Sequence, residues 1–416
     1  MARVLFLTQV FPYPLDAGPK VRAYHMLRHL SEQHEITLVS FVRNEDKPEA
    51  IEHMRCICRA VHTAPMQRST RRNLRAAGKG LLTGLPIVMA RDEIEEMRKI
   101  VRRLASSNTF DAVHADQLSM SAYGLLAAQE GRLPALLDEH NAIYLLAQRM
   151  VSDELNWTRR AVMAREARAF ASYETRTCLA YDAVLTVTPE DRQHLLALYP
   201  PGQREALRDK FTVVPISVDP DAVRVVPHHP GATPTILHVG TMFWPPNVAG
   251  VLWFAREVLP LVHQRLPEAR FVVVGKAPPP DVQALAADPR IVITGYAAEL
   301  EPHLAAADVF VVPLHAGGGM RVKILDAWQW GLPIVSTPIG AEGIDVRDGE
   351  NILLADDAPA FASTVCQLLT DANLNRRLRV SGRSWVEHNY AWQAVYQRVD
   401  PVYAKLVNTS KTPTDQ

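Results

Sequence analysis

At 416 residues, 48% of them hydrophobic, the chain is too long for one ordinary core and apolar enough to bury two. Lys plus Arg and Asp plus Glu both number 45, a formal net charge of zero, which argues against a dedicated nucleic-acid binder with its basic excess. The four cysteines, Cys56, Cys58, Cys178 and Cys366, lack C-x-x-C spacing and read as reduced thiols of a cytosolic protein, not as a metal ribbon.

The first apolar run, Val4–Leu7, is too short for a secretory signal and meets Thr8, Gln9 and prolines, so it reads as a buried strand. No stretch of about 18 apolar residues exists, so no spanning helix and a cytoplasmic location are expected. Gly18 follows in a proline-rich loop, before a helix expected to start near Val21. Between Glu52 and Asp92 there is no acid, whereas Arg55, Arg59, Arg68, Arg71, Arg72, Arg75 and Lys79 occur. Such a stretch suits anionic lipid heads on the inner face of a membrane or a phosphorylated acceptor, or else forms a solvated surface.

Further strands are expected at Ile36–Ser40, Ala112–His114, Ala135–Asp138 and Ala183–Val187. Alternation of strands and helical patterns implies a parallel, doubly wound α/β sheet. Glu139 and His140 fall just past a strand end, the edge of such a sheet that faces the ligand crevice. Glu139 is a candidate for acceptor positioning, and His114, ending another strand, is a weaker candidate. Thr188-Pro189-Glu190-Asp191 reads as a capped helix start. Val213–Val218 reads as another strand, and the proline-rich residues 219–233 as a linker.

A second domain, 234–388, then opens. Its expected strands are Ile236–Val239, Phe271–Val274, Ile291–Thr294, Val309–Val312 and Ile334–Ser336, with helices at Val248–His263 and Met320–Trp330. Several strands end in glycine, as they would where a ligand approaches strand ends; Gly240, with Thr241, and Gly295 are candidate contacts of this kind. Residues 389–408 read as a closing helix that packs back toward the N-terminal domain 1–218, and 409–416 as a disordered tail.

The segment HAGGGMRVKILDAWQWGLPIV carries the chemistry. Gly317, Gly318 and Gly319 remove side chains just before a helix, so backbone N–H groups can approach an anion that the helix dipole favours. Arg321 and Lys323 place two cations in the first turn, against that dipole, a conflict that a bound anion removes. In an ideal helix the two lie about 200° apart, so both reach one diphosphate only if Arg321 sits at the loop–helix junction. Asp326 shares a face with Lys323 and can either accept from ribose hydroxyls or pair with the lysine.

The run PLHAGGGMRVKILDAWQWGLPIVSTPIGAEGI resembles the donor-site region of the group 1, or family 4, glycosyltransferases. LHVGTMFWPPN, FVVVGKAPPP, VITGYAAELEPHLAAADVFVVPL, the opening VLFLTQVFPYPLDAGPKVRAYHMLRHL and HNYAWQAV are similar to other pieces of that family, in order. The resemblance implies a GT-B fold, two Rossmann-like domains facing a central cleft. It also implies retaining transfer from a nucleotide-sugar donor to a carbohydrate or lipid-linked acceptor, with no metal and no cofactor beyond that substrate. It implies that the Gly18 backbone approaches the donor phosphates and that His140 lies near the transferred sugar. The chain departs from the family where many members carry two glutamates, having Gly318 and Asp326, and where many carry an arginine and a lysine after the first donor-domain strand, having no cation in Thr241–Asn247. Arg321 and Lys323 are expected to replace these two. A nucleotide-sugar epimerase of the same architecture and a catalytically silent binding partner are the rival readings.

Overall fold

The computed structural model describes residues 1–44, 46–67, 69–107, 109–153, 156–229, 231, 233–317 and 319–409. Gly318, Arg68 and the tail from residue 410 lie outside them. The chain forms two compact units. One contains Met1–Ser217 together with the segment from Trp392 onward, and the other contains Val218–Ala391.

In the first unit seven parallel strands run β1 (Arg3–Thr8), β2 (Glu35–Val42), β3 (Ala60–Pro65), β4 (Ala112–Asp116), β5 (Ala135–Glu139), β6 (Ala183–Thr186) and β7 (Phe211–Val213), in the order β3-β2-β1-β4-β5-β6-β7. The central strands β1, β4 and β5 are buried on both faces because helices cover both. One side is packed by residues such as Met97, Val101 and Tyr123, and the other by Met26, Leu27, Trp392, Tyr396 and Tyr403. The last three belong to the closing segment, whose helices Trp392–Tyr396 and Asp400–Thr409 complete this core from the far end of the chain.

The structure departs from the sequence reading at three places in this unit. The first helix starts at Gly18 and not near Val21, since Pro19 has the backbone φ that a first helical turn needs. The edge strand β3 was not expected; it carries little apolar alternation, because most of it is only half-buried. The run expected as a strand over Val213–Val218 leaves the sheet after Val213; the carbonyls of Val214 and Pro215 accept instead from the guanidinium of Arg22.

The second unit repeats the plan with six parallel strands: β8 (Thr235–Val239), β9 (Arg270–Val274), β10 (Ile291–Gly295), β11 (Val309–Val312), β12 (Ile334–Ser336) and β13 (Leu353–Leu354), ordered β10-β9-β8-β11-β12-β13. Its helix after β8 runs Pro245–Trp253, widens to a π turn over Phe254–Val258 and resumes at Leu259–Arg265. Pro260, which has no N–H to give, lies two residues past that turn. In each sheet the order reverses beside the first strand, between β1 and β4 and between β8 and β11. Ligands of doubly wound sheets bind at the carboxyl ends of strands at that reversal.

Candidate functional site

In the second unit the reversal point is lined by the segments after β8 and β11. Gly240 directly follows β8, and a Cβ added there would lie 3.0 Å from Lys323 Nζ and 2.9 Å from Asn247 Nδ2. A side chain there would have to push the ends of both groups aside. Asn247 donates from Nδ2 to Thr241 O (2.9 Å), which aims Oδ1 at Lys323 Nζ, 2.8 Å away. Gly275, at the end of β9, packs so tightly that a Cβ would reach within 1.7 Å of Gly240 O. Gly295 closes β10 with φ +68° and accepts from Gly275 N, so it supports this edge from one strand further out.

After β11 the glycine loop turns through Gly317 (φ +131°) and Gly319 (φ +72°). The helix begins at Val322, with Arg321 as its N-cap residue, at the loop–helix junction. Arg321 is buried and donates from Nη1 to Gly319 O (2.7 Å), while Nη2 lies 3.3 Å from Glu342 Oε2. Lys323 sits one residue into the helix. Burial and then the nearby charge of Arg321 lower its ammonium to about 7, with Asp326 pulling the other way. Burial lifts the Asp326 carboxyl to about 7 against the pull of Lys323. Among the described residues no carboxylate ion-pairs with Lys323; its hydrogen bond goes to neutral Asn247. His238, buried beneath, holds Nδ1 2.9 Å from Val311 O, and burial plus Lys323 lower its ring to about 3, so it is neutral. The arrangement is thus a cationic end of a helix with glycine-lined backbone around it. Arg321 has Glu342 within ion-pair distance, whereas among the described residues no carboxylate comes that close to Lys323, on which Asp326 acts from further away.

In the first unit the corresponding reversal gathers a buried polar network. Arg22, on the Gly18–Ser31 helix, is wholly buried and grips Asp138 through Nε (2.8 Å) and Nη2 (2.6 Å), while Nη1 meets the carbonyls of Val214 and Pro215. Burial alone would raise Asp138, but the charges of Arg22 and His140 more than reverse that, and the carboxyl is held low. His140, just past β5, places Nε2 2.9 Å from Asp116 Oδ1 and 3.7 Å from Asp138 Oδ2. Burial raises Asp116, and His140 opposes it. The ligand atoms of Asp116, Asp138 and His140 lie within 4.8 Å of one another, close enough to enclose a cation. Both oxygens of Asp138 are already taken up by Arg22, however, so the network carries its own positive charge. It fits a fixed imidazole better than a metal ion.

Glu139 points to the other face of β5, as alternation along a strand requires. It is fully buried, and burial and Glu174 hold its carboxyl well above the usual range. Glu174 accepts from the amides of Ile143 and Tyr144. Glu139 is therefore an interior acid and not a group that an acceptor meets, which corrects the sequence expectation. His114 is also interior: it stacks on Phe6, contacts Tyr403 Oη through Nδ1 at 2.7 Å, and is kept neutral near 3 by burial. A Cβ added at Gly18 would meet nothing within 4 Å, so packing inside the unit does not require a glycine there. Sequence reasoning missed Arg22, Asp116, Asp138, Asn247 and Glu342. Only the two aspartates carry a signal, each at the carboxyl edge of a strand.

The family model described as "Glycosyl transferase 4-like domain" matches residues 17–209, and the model described as "Glycosyl transferases group 1" matches residues 233–371. The two matches fall on the two units in turn. Both units thus match glycosyltransferase family models, and the chain is similar to the group 1 glycosyltransferases. This glycosyltransferase is 23% identical to a 44.6 kDa protein of the Klebsiella pneumoniae cps region, over 96% of this chain and 99% of that one. It is 31% identical to the GDP-mannose-dependent alpha-(1-6)-phosphatidylinositol monomannoside mannosyltransferase of Mycolicibacterium smegmatis, over 33% of this chain and 40% of that one. Among solved structures, Anabaena HepE in complex with UDP and glucose has the same fold, with a TM-score of 0.64 at 13% identity over 97% of this chain and 100% of that one. The glycosyltransferase fold here is GT-B, two Rossmann-like units each built on a parallel sheet.

Proposed function

We propose that the chain transfers a sugar from a nucleoside diphosphate sugar to a hydroxyl acceptor with retention of configuration and without a metal. The observation that carries this reading is Lys323: a cation lowered by burial and by Arg321, with no carboxylate partner among the described residues, under the strand end of Gly240. A diphosphate supplies a close counter-charge, where the protein offers only the more distant pull of Asp326. The amides of the Gly317–Gly319 loop and the helix N-terminus add to its binding. Asp326, on the Lys323 face, accepts from the ribose. Two relatives fit this substrate class: HepE was solved with UDP and glucose, and the M. smegmatis protein is GDP-mannose-dependent.

In the proposed step the bond between the anomeric carbon and the diphosphate oxygen breaks, the acceptor oxygen bonds to that carbon on the same face, and the acceptor proton passes to the departing phosphate. Arg321 and Lys323 stabilise the charge that grows on the leaving oxygens. His140, held by Asp116, hydrogen-bonds a sugar hydroxyl, and the Gly18 backbone gives a phosphate room to approach. Carbohydrate or lipid-linked acceptors are the class proposed.

Titration calorimetry with UDP, GDP and ADP tests the donor half. Saturable binding of one diphosphate, lost in Lys323→Ala, is expected; a Lys323→Ala protein that binds all three like the wild type would overturn the assignment. Incubation with the matching nucleotide sugar alone separates transfer from epimerisation, since a new sugar formed without acceptor would favour the epimerase.

A further inference from the structure

The acid-free stretch folds, over Thr70–Thr83, into a surface helix that turns its large apolar side chains outward. Leu74 and Leu81 are each 69% exposed and Leu82 is 90% exposed. At about 100° per residue these leucines fall with Arg71 and Arg75 in an arc of about 120°. The opposite side is made of buried Ala76 and Gly80, and of Arg72, whose guanidinium is spent on the carbonyls of Arg91 and Gln67. Single exposed leucines are ordinary. Three on one face of a helix whose inner face is alanine and glycine are not, because the amphipathic pattern is inverted with respect to the protein's own core.

A second helix is tied to the first. Arg165, on Trp157–Ala180, donates to the carbonyls of Gly80 and Leu85, which fastens that helix to the end of the first. Val162 lies one turn from this tie and Trp157 about two turns from it. They are 56% and 79% exposed, and Arg159 and Arg160 between them are exposed too. The acids of this helix, Glu166 and Glu174, turn inward, onto the amides of Ile87, Ile143 and Tyr144.

We propose that this face docks on an anionic lipid bilayer. Leucine side chains enter the boundary between headgroups and acyl chains, and Arg71 and Arg75 meet the headgroup charge. A second copy of the chain is the poorer occupant, since a two-fold contact sets the same patch against itself and would bring these guanidinium groups together. Docking is independent of the transfer reaction proposed above.

The full chain, co-sedimented with vesicles, tests this. Binding to mixed phosphatidylglycerol and phosphatidylcholine vesicles is expected, with weaker binding to phosphatidylcholine alone and a decline as NaCl rises. Leu74→Gln/Leu81→Gln/Leu82→Gln should lower partitioning at least about tenfold, from lost apolar burial. Arg71→Gln/Arg75→Gln should lower it about tenfold or more, from lost attraction. Because all five side chains are exposed, far-ultraviolet dichroism and melting temperature should be unchanged in both variants. Equal binding to neutral and anionic vesicles, or full binding by the leucine variant, would overturn the proposal. So would a dimer in sedimentation equilibrium that the leucine substitutions dissociate, which would assign the face to self-association.

Discussion

Lys323 Nζ rests 2.8 Å from Asn247 Oδ1, so the lysine at the glycine loop is held by a neutral amide and not by an acid. The amide fixes the direction of the ammonium without cancelling its charge. Asn247→Ala should weaken nucleoside diphosphate binding through loss of that aim. Asn247→Asp should weaken it further, because a carboxylate would neutralise the cation before the phosphates arrive. Calorimetry ranks the three proteins, and an Asn247→Asp protein that binds as tightly as the wild type would remove the charge argument.

Lys323→Ala and Arg321→Ala should each lower diphosphate affinity by roughly 10- to 150-fold, the range for a hydrogen bond to a charged group, and leave nucleoside binding nearly unchanged. Lys323 should matter at least as much, since Arg321 already has Glu342 within 3.3 Å. Equal losses for diphosphate and nucleoside would mean only that the fold was disturbed.

The lowered Lys323 ammonium gives binding a pH signature. In the free protein it loses its proton at about 7. A bound diphosphate favours the charged form and raises that value, so binding above pH 7 takes up a proton. Affinity should fall with rising pH, by at most about tenfold per unit, until the bound-state value is passed. Calorimetry at pH 8 in buffers of different ionisation enthalpy detects the uptake. Its persistence in Lys323→Arg would assign the proton to another group.

His140→Ala should cut turnover at least about 100-fold, the lower range for a positioned proton-transfer or hydrogen-bonding group, while diphosphate affinity stays within twofold (about 0.4 kcal/mol). Unchanged turnover would make His140 part of the scaffold. Transfer should also persist in EDTA, and a rate restored only by added Mg²⁺ or Mn²⁺ would contradict the metal-free reading.

Arg22→Ala should destabilise the protein by about 3–5 kcal/mol, because it strands the buried carboxylate of Asp138. Sign and pH dependence follow from the held-low carboxyl: the stabilisation is present above the ordinary aspartate range and is lost as pH falls through the lowered native value. Urea denaturation at pH 7 and at pH 3 should therefore show a smaller difference between the two proteins in acid.

Local patterns in the sequence revealed most of the fold. Phe271–Val274 and Val309–Val312 are short β-branched runs ended by glycine or proline, and both are interior strands of their sheet. Thr188 caps the next helix, its side chain accepting from Asp191 N, as the Thr-Pro-Glu-Asp order predicts. Failures came where a partner distant in sequence decides the outcome. Val214 and Pro215 resemble strand residues but serve Arg22, which is 192 positions from Val214. Asn247 carries no mark of its role, because the lysine it aims is 76 positions away. Glu139 looked like a site residue because it ends a strand; which face it takes depends on a strand's phase, and the other face went to Asp138.

The closing helices have a consequence for how this protein is made. The first unit's sheet is complete once Val213 has left the ribosome, yet the core that holds Val4, Phe6 and Phe11 is completed only by Trp392, Val395, Tyr396 and Tyr403. The entire second unit must be synthesised in between, a delay on the order of 10–35 s at about 5–20 residues per second. Throughout that interval this apolar side of the sheet is covered only in part, by Met26, Leu27 and Leu30 of the first helix, so a general chaperone has its best opportunity before the stop codon, and a nonsense mutation just ahead of Trp392 would leave that core unfinished.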